Sequence, residues 1–172
     1  RFAEGPILDR SIYDPSFVAS AAVLVEGQRW RMWYLSCVGW ESKPGGPQHR
    51  YHIKYAESAD GLHWQRDGRI AIDFCDEREY AISRPSVLAA PDGYTMWFSH
   101  RGPTYRIGLA RSADGVTWQR DDREVGIDVS ESGWDADMIE YPCVFRHEGM
   151  HYMLYNGNGY GRTGIGLAIG ME

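Results

Sequence analysis

The residues best equipped to bind or transform a ligand gather where apolar runs begin or end. Arg84 stands in Ser83-Arg84-Pro85 ahead of one run, Arg101 and Arg106 follow another, and Arg162 lies in the last part of the chain. A guanidinium offers a planar fork of donors that matches a carboxylate or phosphate through two parallel hydrogen bonds. Asn156-Gly157-Asn158-Gly159-Tyr160-Gly161 adds amide donors and backbone freedom. With Asn156 and Asn158 as donors this stretch suits a ligand rich in hydroxyls, and it equally suits a Gly-rich hairpin turn. Its isolated G-x-G elements do not make a nucleotide site. His49, His52, His63, His100, His147 and His151 have no convergent metal spacing, and only His100, beside Arg101, ends a run in a way that would turn it toward a ligand. No G-x-S-x-G nucleophile elbow occurs. Neither a metal nor a cofactor is expected.

The elements that must position these residues follow from an internal repeat. Ser58-Ala59-Asp60-Gly61-Leu62-His63-Trp64 recurs 54 residues later as Ser112-Ala113-Asp114-Gly115-Val116-Thr117-Trp118. Arg84-Pro85-Ser86-Val87-Leu88 recurs 57 residues later as Tyr141-Pro142-Cys143-Val144-Phe145, and Trp33 precedes Trp97 by 64. The additional residues of the first copy fall at Glu41 to Arg50, Pro- and Gly-rich, which predicts a surface loop. In the middle copy, strands are expected over Pro85 to Ala89, Tyr94 to His100, Tyr105 to Arg111 and Val116 to Arg120. Asp-Gly at 60-61 and 114-115 supplies the positive φ of a tight turn between third and fourth strands. The recurrence of Trp33, Trp64, Trp97 and Trp118 assigns them to packing between units, so function is sought among residues that do not repeat.

Four short strands per unit of roughly 50 residues, with Trp and Gly at fixed places, is the pattern of an all-β fold, a β-propeller. Residues 1–172 read as a single domain or part-domain, with blades at about 13–68, 79–122 and 134–172, the last without its fourth strand. The stretch 5–9 aligns with 68–72, as though the chain opened on the tail of an earlier blade. Propellers close with about four to eight blades. The chain is therefore expected either to have lost N-terminal blades or to form a homo-oligomer, since open strand edges and bare apolar faces invite association. A start at Arg1 without Met leads to the expectation of a chain either trimmed or cut from something longer.

Composition narrows the partners. With 18 basic against 24 acidic residues, a net charge of -6 and no basic run, nucleic acid is a poor partner. No stretch approaches the ~20 apolar residues of a membrane span. The cysteines, Cys37, Cys75 and Cys143, are odd in number and widely spaced, so they read as reduced thiols of a cytoplasmic protein.

Ser83-Arg84-Pro85 and Glu140-Tyr141-Pro142, at the starts of inner strands, resemble motifs of five-bladed propeller glycoside hydrolases, the invertase and arabinanase clan of families 32 and 43. Those enzymes carry Arg-Asp-Pro and Glu-x-Pro in successive blades. The phrases around Met32-Trp33-Tyr34 and Met96-Trp97-Phe98, each followed by Ser-x-Asp-Gly-x-x-Trp, also resemble uncharacterised relatives associated with surface-polysaccharide genes. The resemblance covers nearly the whole chain and about the last three of five blades. It implies a carbohydrate ligand at the ring axis, with Glu140 beside Tyr141 as the general acid and a second carboxylate as base or nucleophile. The match departs at Arg84, where the clan has an aspartate, and the first copy has Ala19 and Ser20 in these columns. The second carboxylate is then sought in Asp14, in Asp135 with Asp137 nearby, or in an absent N-terminal half. Asp14 also suits a turn before Pro15, and Asp135 a cap beside Trp134. Arg84 favours an anionic ligand, or alternatively an ion pair with Glu140 or Glu79.

Three functions stay open on the sequence. One is an enzyme of glycoside hydrolase or glycosyl-transfer type. Another is a non-catalytic propeller in which Arg84, Trp40, Tyr160 and other arginines hold an anionic glycan. The third is a protein-interaction propeller without axial chemistry. A second carboxylate about 5–10 Å from Glu140 in one cleft favours the first, and Arg84 paired there favours the second.

Overall fold

The computed structural model describes residues 4–171, and the chain is all-β. β1 (Phe17–Glu26), β2 (Arg29–Lys43) and β3 (Gly46–Ser58) form an antiparallel meander, with β4 (Ile70–Ile72) returning on β3. β5 (Ala81–Ala90), β6 (Gly93–Arg101), β7 (Tyr105–Ser112) and β8 (Gln119–Arg120) repeat that order. A single parallel pairing, Tyr51 with Ala81, joins this unit to the first. β9 (Glu140–His147), β10 (Met150–Asn156) and β11 (Ile165–Met171) make a separate antiparallel sheet. The fourth-strand contact of the first unit is split, with a Glu57–Gln65 bridge ahead of β4. Residues 5–9 form no strand; Leu8 packs on the cluster of Met32, Tyr34 and Ala56.

The cores lie between successive units, which explains why second strands are apolar on both faces. β2 is buried continuously from Arg31 to Cys37, the signature of a strand covered on both sides. Trp33, Ile53 and Ile72 of the first unit meet Ile82, Met96 and Phe98 of the second. Trp97, Ile107 and Leu109 meet Ile139, Val144 and Met153 in the same way.

The repeated Asp-Gly turns are alike down to single hydrogen bonds. Asp60 Oδ1 accepts the backbone N–H groups of Leu62 and His63 at 2.8 Å, and Asp114 Oδ1 accepts those of Val116 and Thr117 at 2.8 Å. These bonds hold the Asp60 carboxyl far below its usual range and pull Asp114 down to about 2. The second turn also locks two units together. Trp33 Nε1 donates to the Gly115 carbonyl at 2.9 Å, Arg31 donates to the Asp114 carbonyl, and Trp118 meets Trp33 edge-on at 5.8 Å. Gly115 is required there: its φ is +72°, and a Cβ would lie 2.5 Å from Arg31 Nη1.

Two expectations change. The fourth strand of the middle unit, expected over Val116 to Arg120, is confined to Gln119–Arg120 because the Asp114 turn occupies the residues before it. Glu41 to Arg50 is not a loop but a continuation of β2 and β3 as a two-stranded ribbon, with Trp40 opposite His49 and Lys43 opposite Gly46. Ion pairs of Glu41 with Arg50 at 2.9 Å and with Lys43 at 2.8 Å tie it, and Gly46 at φ +110° turns it. Cross-strand pairing here outweighs the Pro and Gly content.

Phe145, Leu154, Ile165, Leu167 and Ile169 leave the last sheet with an exposed apolar face. Among the described residues, no helix is long and apolar enough to cross a membrane, and Cys37, Cys75 and Cys143 are free thiols.

Candidate functional site at the strand bulges

The first strand of each unit breaks at the same place. In β1, Ser20 and Ala21 stand opposite Tyr34 alone; in β5, Arg84 and Pro85 stand opposite Phe98; in β9, Tyr141 and Pro142 stand opposite Tyr155. Each is a β-bulge, two residues against one, a device that re-aims side chains beside functional sites. The prolines fit because the bulged residue leaves the ladder and needs no N–H. The leading residues, Ser20, Arg84 and Tyr141, take φ of +47°, +52° and +58°. A non-glycine residue in that region costs on the order of 1–3 kcal/mol, and such strain gathers where function maintains it. The three bulges converge: with Ser86 and Cys143 they line one cleft of about 240 Å³.

Glu140 opens the third bulge, pairing through its backbone with Asn156, while the following N–H of Tyr141 donates to Ser99 Oγ at 2.7 Å. Its side chain has no exposed surface, and neither carboxyl oxygen has a hydrogen-bond partner. Burial disfavours the ionised form. It pushes the Glu140 carboxyl up to about 7, Arg101 offsetting part of the effect. A carboxylic acid balanced near neutrality can hold a proton and release it, the property a general acid needs. Among the described residues, no second carboxylate contributes to that shift.

Arg84 is exposed and lies over the Tyr141 ring at 4.9 Å. It pairs with neither Glu140 nor Glu79. Burial and the neighbouring Glu140 push the Tyr141 hydroxyl up to about 12, with Arg84 pulling the other way. Arg101, at the end of β6, sits among the rings of Tyr105 at 5.3 Å, Tyr80 at 5.6 Å and Tyr160 at 6.0 Å, and donates to the Tyr160 hydroxyl at 2.6 Å. Tyr105 in turn touches Tyr141 edge-on at 6.1 Å and shares a 2.7 Å hydrogen bond with Tyr51. His49 stacks on Tyr51 at 4.6 Å, and Trp40 stands edge-on to His49 at 5.4 Å. Burial, then Arg101, lowers the His49 pKa and favours neutral imidazole. Trp40 and Tyr160 remain 56% and 50% exposed, aromatic faces open to a ligand.

Of this aromatic wall, Trp40, Tyr141 and Tyr160 stand out in the sequence but Tyr51, Tyr80 and Tyr105 do not, although Tyr51 and Tyr105 stand 54 residues apart, the spacing of the Asp-Gly turns. Strand alternation explains why Arg101 joins it and His100 does not. His100 Nδ1 lies 2.7 Å from Glu79, which also binds Arg120 at 2.7 Å. Burial pushes the Glu79 carboxyl up, but His100 and Arg120 outweigh it and hold the group at about 2.

The other candidates have local partners. Asp14 is fully buried, ion-paired with Arg66 at 2.9 Å and Lys54 at 3.6 Å, and accepts from the Tyr34 hydroxyl at 3.2 Å. Asp135 is buried and accepts from the Tyr155 hydroxyl at 3.0 Å, while its Oδ1 has no partner. Asn158 Oδ1 accepts the N–H groups of Asp137 at 2.8 Å and Met138 at 3.1 Å, so its amide staples the segment entering β9. Asn156 donates to the Tyr160 carbonyl at 3.4 Å, and Arg162 is exposed beside Gly159. The turn between β10 and β11 holds Gly159 and Tyr160 at φ of +65° and +62°, which presents the Tyr160 ring to Arg101. Arg106 pairs with Asp128 at 3.0 Å. Among the described residues, no group of three or more His, Cys, Asp or Glu is arranged to hold a metal ion.

No family model matches this sequence. Two uncharacterised proteins of Mycobacterium tuberculosis, from strains H37Rv and CDC 1551, are each 44% identical to it over 169 residues, covering 98% of the chain and 56% of their own length. The chain thus spans a little over half of these curated relatives. Among solved structures, a family 117 glycoside hydrolase of the marine bacterium Zobellia galactanivorans superposes with a TM-score of 0.70 at 16% identity, over 94% of this chain and 54% of its own. The family 32 β-fructofuranosidase of Bombyx mori superposes with a TM-score of 0.68 at 19% identity, over 90% of this chain and 34% of its own. A further glycoside hydrolase gives 0.70 at 18% identity, over 98% and 51%. At such identities the likeness is one of fold.

Proposed function

From a chain with the fold of the glycosidase-like β-propellers, we propose a carbohydrate-active protein that holds a glycan where its bulged first strands converge and uses Glu140 as the proton donor of a glycoside hydrolase-like reaction. The observation that carries this reading is Glu140 itself, a fully buried carboxyl without any hydrogen-bond partner, poised at about 7. A structural glutamate in such a setting would be expected to have a partner. Glu140 protonates the departing glycosidic oxygen, and Trp40 and Tyr160 give the sugar apolar faces to stack on. Hydrolysis also needs a second carboxylate on the opposite side of the bond. Asp14 is neutralised by Arg66 and Lys54, and Asp135 is engaged by Tyr155. In this reading the second group comes from the remainder of the ring, which relatives nearly twice this length can carry.

A second reading is favoured by Arg84. A guanidinium stands where the propeller hydrolases that this chain resembles have an aspartate, which suits a protein that binds a glycan without cleaving it.

A screen of aryl glycosides with the wild-type protein and Glu140→Gln separates the two. Turnover that falls about 10²- to 10⁴-fold in the variant supports the enzyme, the range for loss of a general acid. Turnover unaffected by the substitution would falsify it, and glycan binding with no turnover in either protein favours the second reading.

A further inference from the structure

We propose that the ligand of the bulge cleft carries an anionic oxygen group, a carboxylate or a phosphate on a sugar, received by Arg84 with Arg101 in support. This rests on the reading of the convergent bulges as a glycan site and names the substrate class.

Several arginines of this acidic chain are satisfied by carboxylates. Arg31 pairs with Glu26 at 2.7 Å, Arg66 with Asp14 at 2.9 Å, Arg106 with Asp128 at 3.0 Å and Arg120 with Glu79 at 2.7 Å. Arg84 and Arg101 differ. Among the described residues neither has a carboxylate partner, and their contacts are ring faces and one phenol. Arg101 Nε is buried with no acceptor. Glu140, next in sequence to Tyr141 of the cleft, feels Arg101, but burial holds it largely protonated below neutrality, so it does not neutralise that cation there. The site is therefore locally positive in a chain of net charge -6.

Position strengthens the case. Arg84 is held at φ +52° in a bulge, a conformation that a long side chain rarely adopts. Arg84 lines the cleft and is exposed there, with its guanidinium 4.9 Å from the centre of the Tyr141 ring. A planar fork on a rigid support recognises carboxylate or phosphate oxygens in pairs. The cleft, at about 240 Å³, is smaller than the ~300–1,000 Å³ usual for small-molecule pockets and suits a single sugar unit or charged group. Ser20 and Ser86 also line it, Ser86 Oγ accepting from the Val144 N–H at 2.9 Å and keeping its own proton to donate.

The test titrates the protein at low salt, following tryptophan and tyrosine fluorescence. The probes are glucuronate and galacturonate, glucose 6-phosphate, neutral glucose and galactose, and inorganic phosphate. Anionic sugars are expected to bind about tenfold or more tightly than their neutral parents, as hydrogen bonds to a charged group allow. That ratio should fall to near one in Arg84→Gln and be partly kept in Arg84→Lys, which retains charge but loses the fork. The uronates and the sugar phosphate distinguish the two anion sources. Equal binding of neutral and anionic sugars by the wild type overturns the proposal, as does selectivity that survives Arg84→Gln. Inorganic phosphate binding as tightly as the sugar phosphate also overturns it, since the site would then recognise a bare anion. If Arg84→Gln unfolds, Arg101→Gln and the salt dependence of the wild-type ratio decide in its place. Selectivity that depends on Arg84 alongside turnover indifferent to Glu140→Gln leaves this proposal standing and removes the catalytic one. Turnover that needs Glu140 but ignores ligand charge does the reverse.

Discussion

Replacing Glu140 by glutamine should change how stability depends on pH, and the size of the effect follows from burial. The folded carboxyl titrates at about 7 against a usual value of 4.5. Below 4.5 both folded and unfolded chains hold the proton and the group contributes no pH dependence. Between 4.5 and 7 the unfolded chain releases its proton while the folded one keeps it, so raising the pH drains stability across that window. Above 7 both are ionised, and the folded state carries the whole penalty of a desolvated carboxylate. A separation of this size corresponds to about 3 kcal/mol, or roughly 6–12 °C in Tm for a domain of this length. Glutamine has no such titration. Its buried amide carries its own unmet hydrogen bonds, but that penalty is the same at every pH and cancels when the slopes are compared. Urea unfolding of both proteins at pH 5, 6, 7 and 8 measures the difference: the variant should gain on the wild type from pH 5 to about pH 7 and the gain should level off by pH 8. Parallel stability profiles would mean that Glu140 is solvated or paired in solution, and the reasoning from its isolation would fail.

Asp14→Asn should destabilise the fold by about 3–5 kcal/mol, because it leaves Arg66 and Lys54 buried without their shared carboxylate; a full-strength fold with lost turnover would instead make Asp14 a participant in the chemistry. Gly115→Ala should lower stability by roughly 1–3 kcal/mol through its left-handed φ and the crowding of Arg31, and a thermal midpoint equal to wild type would show that the inter-unit turn is not tightly held. Trp40→Ala removes an exposed face and should weaken glycan binding about tenfold with an unchanged Tm; unaltered affinity would place the ligand away from the ribbon.

The repeat made most of the fold legible, because its phrases state both strand alternation and turn chemistry. Asp60-Gly61 and Asp114-Gly115 could be read as tight turns from residue type alone, and the recurrence of Trp33 assigned it to packing between units, but its bond to Gly115 of the second turn emerges only from the structure. The site was legible only as a column of residues. Glu140 and Arg84 stood out because they do not repeat, but nothing in Ser20, Arg84 or Tyr141 announces a left-handed backbone, a conformation such residues seldom take. The strain comes from the bulge, which exists only when a second strand is in place to be mismatched. Asp14 was ambiguous for a related reason: its partners Tyr34, Lys54 and Arg66 lie 20 to 52 residues away in sequence, so its neutralisation is a tertiary fact. Asn158 looked like a free donor in a Gly-rich turn, yet its amide is consumed by backbone groups of Asp137, Met138 and Gly133. The ribbon was misread because Pro and Gly content was weighed over the cross-strand partners that Trp40 and Glu41 find in His49 and Arg50.

The central claim, that Glu140 is the acid of a glycan site at the converging bulges, is tested most directly by the pH profile of kcat/KM on the best aryl glycoside from the screen. The alkaline limb of that profile reports the essential acid of the free enzyme. It should bend near pH 7, where the Glu140 carboxyl titrates, and turnover should collapse in Glu140→Gln. A limb that is absent, or one that persists in the variant with undiminished turnover, would contradict the account.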